Sequence, residues 1–174
     1  TVYTLRCTAK LLRRLGPPSQ GASEPPSNLL GDWYATLVHA PRMQLVLMVS
    51  ERSLLPILVP AREAATLTER SPGALAEVLL RLGVLPSVIE REVAAMAQAT
   101  IGRTANRRVL GSMNDFVAMM RSHPWPPPSL TALSIWLAAA PCGPIGMASP
   151  DDLTRELLAD PARSRASPPR SCRR

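Results

Sequence analysis

Two spacings of apolar residues divide the chain. Thr1–Arg6, Trp33–His39, Met43–Ser50, Leu54–Val59 and Ala99–Arg103 are short runs of alternating, β-branched or aromatic residues, which predicts five strands. Trp33–His39 and Met43–Ser50 are separated only by a turn containing Pro41 and predict an antiparallel hairpin. Met43–Val49 is almost wholly apolar, the pattern of a central strand buried on both faces. Pro56 cannot donate to a ladder and confines Leu54–Val59 to an edge or to a strand start.

The second spacing is helical. Val109, Leu110, Met113, Phe116, Val117 and Met120 share one face at a 3.6-residue period. Thr104 or Asn106 can accept from the free amides at the start of that helix. Gly111 falls about 150° from the apolar face, where it lowers helix propensity or admits a neighbouring backbone. Further helices are predicted over Ala9–Leu15 (cap Thr8, stop Gly16), Ala61–Glu69, Gly73–Leu82 (cap Ser71, Pro72 first), Ser87–Ala97 and Leu130–Ala140. A last one runs from Pro150 to Leu158, with Ser149 as cap and Asp151 and Asp152 in its first turn. The Pro-, Gly- and Ser-rich stretch 17–28 predicts a mobile loop, and His123–Ser129 a stiff one. The whole predicts a single α+β domain over residues 1–158: a small antiparallel β-sheet of three to five strands packed with five to seven helices. Residues 159–174 predict a disordered basic tail.

Charge changes this picture little. The net charge is +7, and five of the arginines lie in residues 161–174 with no acid among them, which leaves +2 for the body. A domain-wide basic footprint for nucleic acid is therefore not encoded. The only lysine is Lys10; the arginine excess reads as a compositional bias. Cys7, Cys142 and Cys172 are odd in number and far apart, and with only His39 and His123 they offer no zinc spacing. That predicts a reducing, cytoplasmic setting and implies no metal or cofactor. The longest apolar run, Leu133–Met147, is broken by Pro141 and Pro144, so no membrane-spanning helix is predicted.

Several residues are candidates for chemistry. Cys7 sits between a strand and a helix start, where a thiolate is stabilised, but no base accompanies it in sequence. His39 and His123 can form an acid–base or metal pair, or serve as turn residues. Ser112 lacks the second glycine of a nucleophile elbow. Leu75–Val93 has a helix-turn-helix outline, but Glu77, Glu90 and Glu92 offset Arg70, Arg81 and Arg91 there, so an ordinary helical hairpin is the expectation.

Four segments in series, 6–12, 30–35, 51–56 and 106–115, carry a resemblance. They read Arg-Cys-Thr-Ala-Lys-Leu-Leu, Leu-Gly-Asp-Trp-Tyr-Ala, Glu-Arg-Ser-Leu-Leu-Pro and Asn-Arg-Arg-Val-Leu-Gly-Ser-Met-Asn-Asp. In this order the chain resembles a family of small bacterial proteins classed as a domain of unknown function, over roughly residues 2–158. It departs from that pattern at Thr36 and Arg108, where the family has Asn and Ser. The resemblance implies a fold boundary and no mechanism. The polar or aromatic residues of these segments that fit no simple core or cap role are Arg6, Lys10, Asp32, Trp33, Asn106, Arg107, Asn114 and Asp115. If they converge, they form a polar pocket with one aromatic wall beside a helix start. The plainer alternative has Asp32 and Asn106 capping turns, Trp33 in the core and Arg6 paired with Asp115. The functional expectation is a binding module for a nucleic acid, a nucleotide or other anionic small molecule, or a partner protein, through the surface at Asn106–Asp115. The alternative is an enzyme acting on nucleic acid or nucleotide with the same residues. No membrane partner is expected.

Overall fold

The computed structural model describes residues 2–19 and 25–159. The middle of the 17–28 loop and the 160–174 stretch of the tail lie outside the described residues. Five strands form one sheet: β1 (Val2–Cys7), β2 (Trp33–Ala40), β3 (Met43–Ser50), β4 (Pro56–Pro60) and β5 (Gln98–Arg103). Their order is β4-β3-β2-β1-β5. The helices are α1 (Ala9–Leu15), α2 (Leu67–Arg81), α3 (Pro86–Ala95), α4 (Arg107–Ser122), α5 (Leu130–Ala138) and α6 (Pro150–Ala159). This is the expected α+β class, and the β2–β3 hairpin, the buried β3 and the edge position of β4 are as the pattern predicts.

The sheet itself is mixed, not antiparallel. β1 runs parallel to β2, with Leu5 opposite Trp33, and parallel to β5 from Val2 opposite Gln98 to Cys7 opposite Arg103. Two crossovers produce this: α1 and the following loop return the chain to β2, and α2 and α3 return it to β5. A crossover through a helix brings the next strand back in the same direction. Residue alternation gives the faces of a strand but not the direction of its neighbour, so this was not readable from the pattern.

The two sheet faces carry separate apolar clusters. Tyr3, Leu5, Trp33, Val46, Met48 and Ile57 pack against Leu11 of α1, Leu75, Val78 and Leu79 of α2 and Ile89 of α3. Tyr34, Val38, Leu45, Leu47, Val49 and Leu58 pack against Val109, Met113, Phe116 and Met120 of α4 and Leu133 and Leu137 of α5. The α4 residues are the helical stripe legible in sequence.

Two local expectations are corrected. The helices expected over Ala61–Glu69 and Gly73–Leu82 are one element, α2, preceded by a 3-10 turn at Ala64–Thr66. Pro72 lies inside α2 and leaves the Thr68 carbonyl without its helical donor. The Ser71 hydroxyl, buried rather than capping, approaches that carbonyl at 3.5 Å. Leu67, Leu75, Val78 and Leu79 are buried on both sides of the proline, and their burial carries the helix through it. Thr8 makes no side-chain cap; its hydroxyl lies 3.0 Å from that of Thr36. The expected caps do form at Asn106, which accepts from Arg108 N at 3.0 Å, and the α2–α3 hairpin packs on the sheet as a core element.

Glu92 of α3 belongs to the interior. It is 2% exposed, and its carboxylate accepts from Leu29 N at 2.8 Å and Leu30 N at 2.9 Å. Arg52 closes the same segment from the other side through its bond to the Leu29 carbonyl at 3.1 Å. The chain leading into β2 is thus clamped between α3 and the turn after β3. Burial pushes the Glu92 carboxyl upward, while the two amides and Arg52 oppose this.

Substituting Glu92→Ala leaves two backbone donors without an acceptor and is expected to destabilise the fold by about 2–4 kcal/mol in urea unfolding. A raised carboxyl keeps its proton in the native state after the unfolded chain has lost it. Native stability relative to Glu92→Gln therefore falls as pH rises from 4.5 through the folded-state value. At Gly111 an added methyl would meet nothing within 4 Å. Gly111→Ala is expected to raise stability by about 0.5–1 kcal/mol, seen as a higher urea midpoint at unchanged slope.

Candidate functional site

The site begins with topology. β1 and β5 are adjacent and parallel, yet the helices that follow them leave on opposite faces of the sheet. α1 joins the Trp33 face, and α4 joins the Tyr34 face. Where the connections from neighbouring parallel strands diverge, a crevice opens at their carboxyl ends. The strand register places Arg6 beside both Tyr34 and Gly102, on the α4 side of the sheet. α4 covers β2 and β3 there and leaves the β1–β5 part of that face to Thr4, Arg6, Thr100 and Gly102.

Arg6 and Asp32 form the polar centre. Arg6 Nε and Nη2 both lie 2.9 Å from Asp32 Oδ2, and Asp32 Oδ1 accepts from Thr4 N at 2.9 Å. The Asp32 side chain is 4% exposed and that of Arg6 22%. Asp32 precedes β2 and satisfies a β1 amide where the ladder has not yet begun. Gly102 fits this arrangement because a methyl there would sit 2.8 Å from the Thr4 methyl and 3.9 Å from Arg6.

A second set adjoins it. The Tyr34 hydroxyl donates to Glu51 Oε1 at 3.4 Å, and Asn106 Nδ2 donates to the same oxygen at 3.5 Å. Burial and then Glu51 push the Tyr34 phenol up to about 12, against Arg6 and the Asn106 backbone, which lower it. Asn106 thus holds the start of α4 through its oxygen and reaches Glu51 through its nitrogen. Arg107 is exposed at the first position of α4. Arg108 is half-buried, with its Nε shielded and without a hydrogen-bond partner.

The expected convergence is partial. Arg6 pairs with Asp32, Asn106 belongs to the adjoining Tyr34–Glu51 set, and Arg107 is exposed at the start of α4. Asn114 and Asp115 are exposed further along α4, and Asp115 faces Cys142, whose thiol is raised by burial and by that carboxylate. Lys10 lies elsewhere, lining a separate cavity with His39 and His123. Trp33 is fully buried on the opposite face, its Nε1 without a partner, so it forms no wall of the site. Alternation across the strand puts Tyr34 where Trp33 was expected. Arg6 pairs with Asp32, not with Asp115. Tyr34 and Glu51 were missed, although both stand in the matched segments; their polar ends meet only across the β2–β3 pair.

The candidate nucleophiles are quiet. Cys7 is 1% exposed and burial pushes its thiol up to about 12, the reverse of an activated thiolate. Ser112 is buried, and its hydroxyl donates to the Arg108 carbonyl at 3.4 Å. Among the described residues no three His, Cys, Asp or Glu side chains are placed to hold a metal ion. Among them, too, no single helix is long and apolar enough to cross a membrane.

The chain has two tyrosines, Tyr3 and Tyr34, and burial raises both. The native state then keeps protons that the unfolded chain loses near pH 10, so stability falls as pH rises from 10 toward 12. Phenolate absorbance is expected to stay flat at pH 10 and to rise together with loss of the far-UV dichroism signal near 12. An ordinary titration near pH 10 in the folded protein would contradict the burial of both hydroxyls.

Neither a curated protein nor a solved structure matches the chain. A family model does, over residues 4–153, which contains the sheet from Thr4 onward, α1 to α5 and the Arg6–Asp32 pair. The chain therefore belongs to the family described as Domain of unknown function (DUF6933).

Proposed function

We propose that this domain is a binding module that takes a phosphate-bearing ligand, a nucleotide or a short stretch of RNA, in the crevice beyond the carboxyl ends of β1 and β5. The observation that supports the reading is the position of Tyr34, beside Arg6 in the strand register and sharing Glu51 with Asn106 at the start of α4. The amino end of α4, where Asn106 caps the Arg108 amide, and the exposed guanidinium of Arg107 give an anion both a dipole and a charge to meet. Asp32 neutralises Arg6 and fixes its position, so Arg6 forms the floor and Arg107 and Arg108 supply the net positive charge. Binding is favoured over catalysis because Tyr34 and Cys7 are both pushed to about 12, far from the range in which a base or nucleophile works at neutral pH.

The test is thermal stabilisation at low salt by nucleoside mono- and triphosphates and by short single-stranded RNA. A ligand at a hundred times its Kd stabilises by about 2.7 kcal/mol, a shift of several degrees for a domain of this size. Arg107→Ala is expected to remove most of that shift while melting as the wild type does without ligand. If none of these ligands moves the wild-type melting point, or if Arg107→Ala responds equally, the reading fails.

A further inference from the structure

At the other end of α4 lies a cavity of about 280 Å³, framed by α1, the turn end of the β2–β3 hairpin, the last turns of α4 and the loop that follows. Its charged or titratable lining is Lys10 of α1, His39 of β2, Arg121 of α4 and His123 of the loop, and among the described residues no carboxylate lines it. The floor is apolar, with Val38 and Met120; Trp125 and Leu37, which packs with the cluster on the other face of the sheet, also line the cavity. The absence of acid is a property of whole segments. Residues 1–23, 33–50 and 116–150 contain neither Asp nor Glu, so all 13 acidic residues lie outside the stretches that frame the cavity. β2 alone separates this cavity from the Tyr34–Glu51 end by about 17 Å.

The two imidazoles are held in place. Arg14 donates to Gln44 Oε1, which orients the Gln44 amide so that its Nε2 donates to His39 Nε2 at 2.9 Å. The proton of neutral His39 is then on Nδ1. His123 Nδ1 lies 2.7 Å from the Pro124 carbonyl and donates to it, and its ring meets Trp136 edge-on with centroids 4.7 Å apart. Its Nε2 becomes a donor only on protonation. The carbonyl end of α4 opposes an anion here. Two of its carbonyls are nevertheless occupied: Met119 O accepts from Ser122 Oγ at 2.8 Å and Met120 O from His123 N at 3.3 Å.

We propose that this cavity is a second binding site, for a small organic anion: a sulfonate, phosphate or carboxylate group held by Lys10 and Arg121, carried on a flat apolar body that lies against Trp125 and the floor. The site is independent of the crevice at β1 and β5. Both kinds of contact are needed. The cations select the charge, and the apolar floor gains from a ligand body that a bare inorganic ion lacks.

The experiment is calorimetric titration of the full chain with naphthalene-1-sulfonate, whose charge does not change with pH, at low salt. Naphthalenemethanol and inorganic sulfate are the neutral and bodiless controls. Naphthalene-1-sulfonate is expected to bind at least about tenfold more tightly than either control. Lys10 and Arg121 are both exposed, so the double variant Lys10→Glu/Arg121→Glu is expected to fold as the wild type does and to lose binding at least about tenfold. Trp125→Ala weakens binding of the naphthyl probe, and Arg107→Ala leaves it unchanged. The proposal is overturned if the wild type does not bind the probe, or if the neutral alcohol binds as well. It is equally overturned if the charge-reversed variant binds like the wild type. Loss of binding in Arg107→Ala would move the probe to the other crevice and refute this site.

Discussion

The carboxylate of Asp32 is the point at which the molecule is tied together. It satisfies the Thr4 amide of β1, pairs with two nitrogens of Arg6, and its own carbonyl takes the Glu51 amide at the end of β3. Three strands are therefore fixed in register by one residue at the start of β2. A carboxylate buried this deeply is stable only with all its acceptors used, and removing one partner of such a pair costs about 3–5 kcal/mol. The clamp on the preceding segment serves the same end. Glu92 and Arg52 hold Leu29 and Leu30, and Gly31 takes a φ of +82° so that the chain can turn Asp32 inward. A methyl at Gly31 would also press on the Arg52 side chain at 3.0 Å.

From that point the architecture follows. With β1 held parallel to β2, β5 is added parallel on its free side, and the antiparallel β3 and β4 complete the other half. Helices close both faces, and the two apolar clusters share the buried strand β3, which contributes Val46 and Met48 to one and Leu45, Leu47 and Val49 to the other. The parallel half is where polar side chains remain. Its carboxyl end collects Arg6, Tyr34, Glu51 and Asn106, each held by a neighbour before any ligand arrives.

α4 connects the two regions that carry functional interest. Its amino end, capped by Asn106, carries Arg107 and Arg108 and lies beside the Tyr34–Glu51 pair; its carboxyl end, with Arg121 and His123, borders the basic cavity. The same apolar stripe that fixes α4 on the sheet thus sets the position of both.

Sequence alone determined what depends on neighbours along the chain. The strand and helix periods, the helix starts at Asn106 and Pro150, the edge position of Pro56 and the core stripe from Val109 to Met120 are all local chemistry, and the structure places them as read. The lack of acid around the cavity was also written in the sequence, in three segments with no reason to be read together. Tertiary structure decided everything that depends on which element lies beside which. It made the sheet mixed and carried α2 through Pro72 because apolar residues on both sides of the proline are buried. It turned Trp33 into the core and Tyr34 to the site, gave Arg6 to Asp32, and separated Lys10 from the residues with which it was grouped. The physical reason is common to all of these. Period and propensity constrain one segment against solvent, whereas pairing, strand direction and burial of a charge are energies between segments, and they exist only once the chain has closed on itself.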